Sequence, residues 1–191
     1  MARTPSTMLD LGTTAPDFSL PEPKTNTDVA LKDFTRKGLV VAFICNHCPY
    51  VVQIIDKFSE VATHYQSKGI DFVAINANDV AHYPDDSPAK MIEFAEQANL
   101  TFPYVFDEDQ AIAKAYQAAC TPDLYVFDAD KKLVYRGQFD SARPKSDIAV
   151  TGEDLTKALD ALLAKDPVLK TQKASLGCNI KWIAGNEPHY G

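Results

Sequence analysis

Two cysteines separated by two residues, in Cys45-Asn46-His47-Cys48, are the side chains of this sequence best suited to chemistry. A strand that ends directly in Cys-x-x-Cys-Pro and continues as a helix places Cys45 at the helix N-terminus and Cys48 in its first turn. The two sulfurs are then close enough to form a disulfide. The unpaired N–H groups and the positive dipole end of the helix favour a thiolate, the form of cysteine that attacks disulfides. The pattern predicts thiol-disulfide exchange, with Cys45 as nucleophile and Cys48 as resolving thiol.

His47 lies between the two cysteines. When protonated, its imidazole adds positive charge beside the Cys45 thiolate and lowers the pKa of that thiol. Because the thiolate belongs to the reduced form, the same charge stabilises the reduced protein. We therefore count His47 as a candidate catalytic residue, the alternative being a solvated loop histidine. Cys45, at an exposed strand end beside His47, is expected to be the most reactive thiol.

The other two cysteines, Cys120 and Cys178, are candidate accessory thiols. Cys120 lies two residues before Pro122, and Cys178 lies in an aperiodic segment that Trp182 is expected to anchor. The alternative for each is packing as a small apolar residue. If the C-terminal segment docks over the dithiol, a second disulfide between Cys120 and Cys178 is expected.

The elements that position the dithiol follow from hydrophobic periodicity. The unbroken apolar run Leu39 to Ile44 is typical of a strand buried on both faces. Apolar residues then recur at helical spacing over about 49–67, and Gly69 marks the end of that helix. Ile70 to Ile75 is a second strand candidate, so the strand, helix, strand order predicts parallel pairing.

The rest of the chain continues the alternation of helices and strands. A polar loop, Asn76 to Ser87, leads into a helix that Ser87-Pro88 opens. Further signals predict a short helix capped by Asp107 to Gln110, a hairpin of strands 124–128 and 133–136, and a last helix over about 153–164 behind the capping box Thr151-Gly152-Glu153-Asp154. After Pro167 the sequence shows no hydrophobic periodicity. We therefore predict one domain over 1–166 and a C-terminal tail, 167–191, that docks on it.

Three segments in this order resemble one family. They are Ala15-Pro16-Asp17-Phe18-Ser19-Leu20, Cys45 to Cys48, and Thr121-Pro122. Together they resemble the redoxin group of thioredoxin-fold proteins, the branch that alkyl-hydroperoxide-reductase-like and thiol-specific-antioxidant-like proteins share. The resemblance implies an α/β, thioredoxin-like fold: a central mixed sheet flanked by helices, with an N-terminal extension and the C-terminal tail. It also implies that the Thr121–Pro122 bond is cis and that this loop faces the dithiol, so Thr121 and Pro122 are candidate substrate-binding residues.

Two positions depart from relatives of this group. Thioredoxins carry a buried Asp six residues before the first cysteine, where this chain has Leu39. Proton transfer must therefore use His47, water or another group. Peroxiredoxins carry a Pro-x-x-x-Thr-x-x-Cys signature, which the residues Ala42-Phe43-Ile44-Cys45 do not match.

Composition narrows the functional class. The net charge of −7 over 191 residues opposes nucleic-acid binding. Nowhere do about 18 consecutive apolar residues occur, so no membrane partner is expected. Residues 1–12 lack the apolar core of a signal peptide, which predicts a cytoplasmic location. Four cysteines are too few for a disulfide-stapled scaffold of this length.

Three functions remain open at this point. The leading hypothesis is a cytoplasmic thiol-disulfide oxidoreductase without cofactor, acting on a protein or small-molecule disulfide and regenerated by a reductant. The second is a thiol peroxidase that reduces peroxides through a sulfenic acid. The third, from a different class, is a copper or zinc binding module using Cys45, Cys48 and His47. A structural zinc site needs four ligands and no second Cys-x-x-Cys exists, so we expect no metal.

Overall fold

A computed structural model describes residues 3–190 of the chain. Its strands are β1 (Arg3–Pro5), β2 (Ser19–Glu22), β3 (Thr27–Ala30), β4 (Gly38–Phe43), β5 (Ile70–Asn76), β6 (Tyr104–Phe106), β7 (Cys120–Thr121), β8 (Asp123–Asp128), β9 (Leu133–Gly137) and β10 (Leu176–Asn179). Its α-helices are α1 (Pro49–Ser67), α2 (Pro88–Gln97), α3 (Ala111–Ala115) and α4 (Glu153–Ala164). The predicted strands around the dithiol and the long helix after it are confirmed.

The main sheet has five strands in the order β6-β5-β4-β8-β9. β4 is central, parallel to β5 as predicted and antiparallel to β8. Every residue of β4 is buried, because helices and loops cover both faces of the sheet. The sheet is therefore mixed, and the α/β class predicted from the sequence is confirmed.

Alternate residues of β4 enter two separate apolar clusters. Val40 and Ala42 pack with inward residues of α1, α2 and α4 on one face. Val41 and Phe43 pack on the other face, with α3 and part of the N-terminal segment. This division follows from the period of two along a strand. The dithiol belongs to the first cluster, on the α1 face.

The start of α4 differs from the prediction in its cap. The helix begins at Glu153, but its N-cap residue is Gly152. Thr151 Oγ1 accepts a hydrogen bond from the Glu153 N–H at 3.3 Å, but the Asp154 carboxylate accepts from the Gln138 side chain and does not complete the expected capping box. Instead, the Asp140 carboxylate accepts hydrogen bonds from the N–H groups of Thr151 at 2.8 Å and Gly152 at 2.7 Å. The capping-box prediction was wrong because the carboxylate of Asp140, eleven residues before Thr151 in the same connection between β9 and α4, folds back onto this turn, which the local sequence cannot show.

The C-terminal segment contributes a strand. β10 lies between β1 and β7 in a second, three-stranded antiparallel sheet. Gly177 lies so close to β7 that an added Cβ would be 2.0 Å from the Thr121 carbonyl oxygen. Beyond β10, the Asn78 side chain accepts a hydrogen bond from the Lys181 N–H at 2.8 Å. The segment thus joins the loop that follows β5 to the Thr121–Pro122 loop.

Candidate active site

The two cysteines lie between the end of β4 and the start of α1. The strand ends at Phe43, and α1 begins at Pro49 with Cys48 as its N-cap residue. Cys45 therefore lies before the helix and Cys48 at its boundary. The sequence predicted Cys45 at the helix N-terminus and Cys48 in the first turn. A proline at the first helical position explains the boundary, because its fixed φ suits the first turn and its missing N–H needs no acceptor.

Both sulfur-bearing side chains are enclosed. Cys45 is 1% exposed and Cys48 is 0% exposed. The expectation that Cys45 lies at an exposed strand end was therefore wrong, because the Thr121–Pro122 loop and β10 cover this end of the sheet. Near Cys45, the His47 side chain is 21% exposed, so the site is partly open to solvent at His47.

The Thr121–Pro122 loop contacts both sulfurs. The bond between these two residues is cis, as the family resemblance implied. Thr121 Oγ1 lies 3.5 Å from Cys45 Sγ. Cys48 Sγ lies 3.1 Å from the Thr121 carbonyl oxygen, to which it can donate a hydrogen bond when it carries the proton. The structure thus brings the two candidate substrate-binding residues against the dithiol. Their role in binding substrate stays a prediction.

The two thiols titrate as a pair. A hydrogen bond from the Cys45 thiol, opposed by burial, lowers the pKa of Cys48 to about 5. The same hydrogen bond, together with burial and the charge of Asp86, raises the pKa of Cys45. The reduced pair therefore shares one proton near neutral pH, with one sulfur present as thiolate. The sequence predicted the lowered pKa at Cys45. The difference arises because that prediction did not include the hydrogen bond from Cys45 to Cys48, the burial of Cys45 or the charge of Asp86.

Asp86 is the residue of the site that the sequence did not reveal. It is fully buried, and its Oδ1 accepts a hydrogen bond from the Asn46 N–H at 2.8 Å. Its Oδ2 lies 2.7 Å from His47 Nδ1. Asp86 thus holds both residues between the two cysteines. The only local sign was its place just before the helix start at Ser87-Pro88, where acidic residues are common for reasons of capping.

Two asparagines, Asn76 at the end of β5 and Asn78 just beyond it, hold Asp86 in turn. Asn78 Nδ2 donates to Asp86 Oδ2 at 2.7 Å, and Asn76 Nδ2 donates to the Asp86 carbonyl at 2.8 Å. Both side chains are buried. The polar loop at the carboxyl end of β5 therefore fixes a charged group against the dithiol loop.

A second contact fixes the ring of His47. It stacks on Tyr83, with ring centroids 5.9 Å apart and an interplanar angle of 4°. Lys181 Nζ lies 5.7 Å from the centroid of the same tyrosine ring. The imidazole is therefore held from one side by a carboxylate and from another by an aromatic face. This arrangement is not that of a solvated loop histidine.

The two accessory thiols lie on different faces of the β7–β10 ladder. Cys178 is paired with Thr121, and Cys120 is paired with Asn179. Because side chains alternate along a strand, Cys178 lies on the face of Thr121 and the dithiol, whereas Cys120 lies on the opposite face. The geometry therefore opposes the Cys120–Cys178 disulfide expected from the sequence. Burial raises the pKa of Cys120 well above that of an ordinary thiol.

The donor atoms of Cys45, His47 and Asp86 form a group that could hold a metal ion. One ligand atom from each lies within 4.8 Å of the other two. This set replaces Cys48 of the metal-site hypothesis with Asp86. Thiolate, imidazole and carboxylate all bind zinc, and three protein ligands leave a fourth position for water or substrate. His47 Nδ1 lies 2.7 Å from Asp86 Oδ2, but it makes no hydrogen bond of good geometry among the described residues.

Comparison with known proteins gives a family. The model of the AhpC/TSA family matches residues 11–136. The match begins before β2 and ends in β9, so it contains the dithiol and the Thr121–Pro122 loop but not β10.

Individual relatives agree with this match. The chain is 28% identical over 131 residues to the thiol-disulfide oxidoreductase ResA of Geobacillus thermodenitrificans, covering 68% of this chain and 70% of that protein. The crystal structure of an uncharacterised conserved protein from Geobacillus kaustophilus superposes with a TM-score of 0.94 at 49% identity, covering 96% of this chain and 97% of the other. The thioredoxin domain of a thiol-disulfide oxidoreductase from Bacteroides vulgatus superposes with a TM-score of 0.61 at 17% identity, over 79% and 99% of the two chains. This last likeness confirms the thioredoxin-like fold.

Proposed function

The chain belongs to the AhpC/TSA family of redoxins, and from this membership and the geometry of the dithiol we propose that it is a thiol-disulfide oxidoreductase that works through Cys45 and Cys48. One observation carries the proposal. The sulfurs of Cys45 and Cys48 both lie against the cis Thr121–Pro122 loop at the start of a helix. The similarity to ResA, a thiol-disulfide oxidoreductase, supports the same class of reaction.

The first step is attack by Cys45 on a substrate disulfide. The proton of Cys45 passes to Cys48 along the hydrogen bond between the two sulfurs, which leaves the thiolate on Cys45. Thr121 Oγ1 is placed to donate a hydrogen bond to that thiolate. The thiolate attacks one substrate sulfur, the substrate S–S bond breaks, and the second substrate sulfur leaves as a thiolate that takes up the proton.

The second step resolves the mixed disulfide. The Cys48 thiolate attacks the Cys45 sulfur, the bond between Cys45 and substrate breaks, and the substrate leaves as its second thiol after taking a proton from water. In total, two electrons pass from the protein to the substrate, and a Cys45–Cys48 disulfide remains. A dithiol or protein reductant must then supply two electrons to regenerate the pair.

The assignment of Cys45 as nucleophile rests on access. Cys45 borders His47, which is partly exposed and stacks on the exposed Tyr83. Cys48 is surrounded by buried groups, including Thr121 and Cys178. A substrate sulfur that displaces the edge formed by His47 and Tyr83 reaches Cys45 first. At this edge, His47 is proposed to place a positive charge beside the Cys45 thiolate when its imidazole is protonated.

One assay tests the proposal against its rivals. Purified protein is given dithiothreitol together with insulin, as a disulfide substrate, or hydrogen peroxide. We expect dithiothreitol-driven reduction of the insulin disulfides, loss of that activity to the uncatalysed rate in Cys45→Ser, and trapping of the substrate as a mixed disulfide in Cys48→Ser. Cys120→Ser, on the opposite face of the ladder, is the matched control and should keep the wild-type rate.

The assay can also refute the proposal. Rapid peroxide consumption with no disulfide reduction would identify a thiol peroxidase. Neither activity, together with one equivalent of zinc or copper in the purified protein, would favour a metal-binding module built on Cys45, His47 and Asp86.

A further inference from the structure

The buried thiol cluster extends beyond the dithiol to β10. Cys178 is directly opposite Thr121 in the antiparallel ladder between β10 and β7. Directly opposite residues project from the same face, with Cβ atoms about 4.5–5.5 Å apart. Thr121 itself contacts both Cys45 and Cys48. The ladder register therefore brings the side chain of Cys178 to the dithiol.

Within the cluster, Cys178 contacts Cys48. Both residues belong to the apolar cluster on the α1 face, with exposures of 3% and 0%. The Cys48 sulfur forms hydrogen bonds with the side chain and with the backbone of Cys178. Cys48 is thus the one sulfur that touches two other thiols, Cys45 on one side and Cys178 on the other.

The charges around Cys178 depend on the redox state of Cys48. In the reduced protein, burial and the hydrogen bond to Cys48 raise the pKa of Cys178 to about 12. Lys181, whose ammonium group is held by the backbone and side-chain oxygens of Asn179, acts in the opposite direction. When Cys48 enters a disulfide, its negative charge disappears. The thiol of Cys178 then loses a group that opposes its ionisation, while Lys181 remains.

We propose that Cys178 is a third redox thiol, which exchanges with the Cys45–Cys48 disulfide to form a Cys48–Cys178 disulfide. Its thiolate attacks the Cys48 sulfur, the Cys45–Cys48 bond breaks, and Cys45 leaves as a thiolate that takes up the proton lost by Cys178. No electrons leave or enter the protein, so the exchange needs no further oxidant. The step frees Cys45 while the disulfide moves to β10. In turnover it rests on the proposed function, which supplies the first disulfide.

The test removes Cys45 and asks which thiol joins Cys48. Full-length Cys45→Ser is incubated with oxidised glutathione, which supplies the oxidant, and then alkylated, digested without reduction and mapped by mass spectrometry. We expect a Cys48–Cys178 linked peptide pair, formed as one molecule of oxidised glutathione is reduced to two of the thiol. The pair should persist in Cys45→Ser/Cys120→Ser and disappear completely in Cys45→Ser/Cys178→Ser.

The result has clear contrary outcomes. A Cys48–Cys120 link, or only a glutathione adduct on Cys48 in a folded chain, overturns the inference. Circular dichroism of each variant verifies that the chain is folded. In wild type, mapping after oxidation should find both the Cys45–Cys48 and the Cys48–Cys178 pairs, and their joint presence excludes a link that arises only when Cys45 is missing.

Failure of this inference can be told from failure of the proposed function. Cross-linking in Cys45→Ser does not require turnover, whereas insulin reduction by the wild type does. A wild type that reduces insulin while Cys45→Ser forms no Cys48–Cys178 link removes only Cys178 from the mechanism. An inactive wild type whose Cys45→Ser variant forms the link refutes only the proposed reaction.

Discussion

Asp86 places a negative charge in the same enclosed site as two thiols. The carboxylate contributes to raising the pKa of Cys45, so it opposes the thiolate that the proposed reaction needs. It also orders the loop between the cysteines, through the Asn46 N–H and the His47 ring. The Asp86 charge opposes ionisation of the Cys45 thiol less when His47 carries a proton, because imidazolium and carboxylate then form an ion pair beside the dithiol.

Replacing His47 tests this balance. In His47→Leu the buried carboxylate of Asp86 loses its imidazole partner, and the thiolate loses the positive charge that this ring supplies when protonated. Both effects destabilise the reduced form, so we expect the reduction potential to become more negative, by on the order of 30 mV for an interaction of about 1.4 kcal/mol. Redox titration in glutathione buffers measures the shift.

A second histidine provides the control. His82 also has its Nδ1 close to a carboxylate, at 2.5 Å from Asp79 Oδ2, but it is 76% exposed and outside the dithiol loop. His82→Leu should leave the potential at the wild-type value. An unchanged or more positive potential in His47→Leu would mean that His47 has no part in setting the stability of the thiolate.

For individual residues, the sequence predicted the reactive side chains but not the groups that surround them. The spacing of Cys45 and Cys48 and the order of the family segments were enough to place the dithiol against Thr121 and Pro122. Asp86 was missed because its burial depends on β5, α2 and the dithiol loop meeting in space. No local pattern distinguishes such an aspartate from one that caps a helix.

Among the elements, β10 determines how closed the site is. Gly177 has an ordinary backbone conformation, but its Cα hydrogens face the Thr121 carbonyl, so a larger residue must push the strands apart. We expect Gly177→Ala to destabilise the fold by about 1–3 kcal/mol, the usual cost of overpacking, and to speed alkylation of the dithiol severalfold. Iodoacetamide labelling followed by peptide mapping measures the second effect.

Gly185→Ala is the matched control in the same segment. Nothing lies within 4 Å of a Cβ at Gly185, although its φ of +83° strains an alanine by about 1 kcal/mol. It should therefore lower stability slightly without changing the labelling rate of Cys45 and Cys48. Equal labelling in the two variants would show that β10 does not control access.

The same elements show why prediction succeeded in one part of the chain and not in another. β4, α1 and α4 are long enough for a hydrophobic period to be visible, and their bounds were predicted to within about two residues. β1, β7 and β10 are two to four residues long, and each pairs with a strand far away in sequence. Such short strands are specified by their partners rather than by their own residues.

Across the whole molecule, a buried carboxyl group links stability to pH. Asp123 is fully buried, and burial raises its pKa from 3.8 to about 7. Between these pH values the folded chain binds more protons than the unfolded chain, so stability falls as pH rises through this window. The full difference corresponds to roughly 4 kcal/mol. Asp123→Asn should make this slope shallower, leaving the smaller contribution of Asp107, whose pKa burial raises to about 6. Urea unfolding across the same pH range measures the slope.

Asp130→Asn, at an exposed hairpin turn, should retain the wild-type slope. A slope in Asp123→Asn as steep as that of the wild type would show that Asp123 does not contribute, and would assign the pH dependence to groups such as Asp107.

The cellular location of the protein is a property of the whole molecule. Within residues 3–190, none of the helices combines the length and apolar character that a membrane span requires. The cytoplasmic location stays a prediction, which fractionation of cells producing the native chain would test.

The position of β10 near the C-terminus also affects the order in which parts of the chain fold. The dithiol and α1 leave the ribosome well before the strand that encloses them, and β10 must then pair with β1 across almost the full length of the chain. Contacts between such distant segments carry the largest loop-closure entropy and form late in folding. The nascent protein therefore passes through a stage in which its most reactive sulfurs are already present and still uncovered. Whatever disulfides are nearby at that stage can react with Cys45 without meeting the barrier that the finished fold imposes.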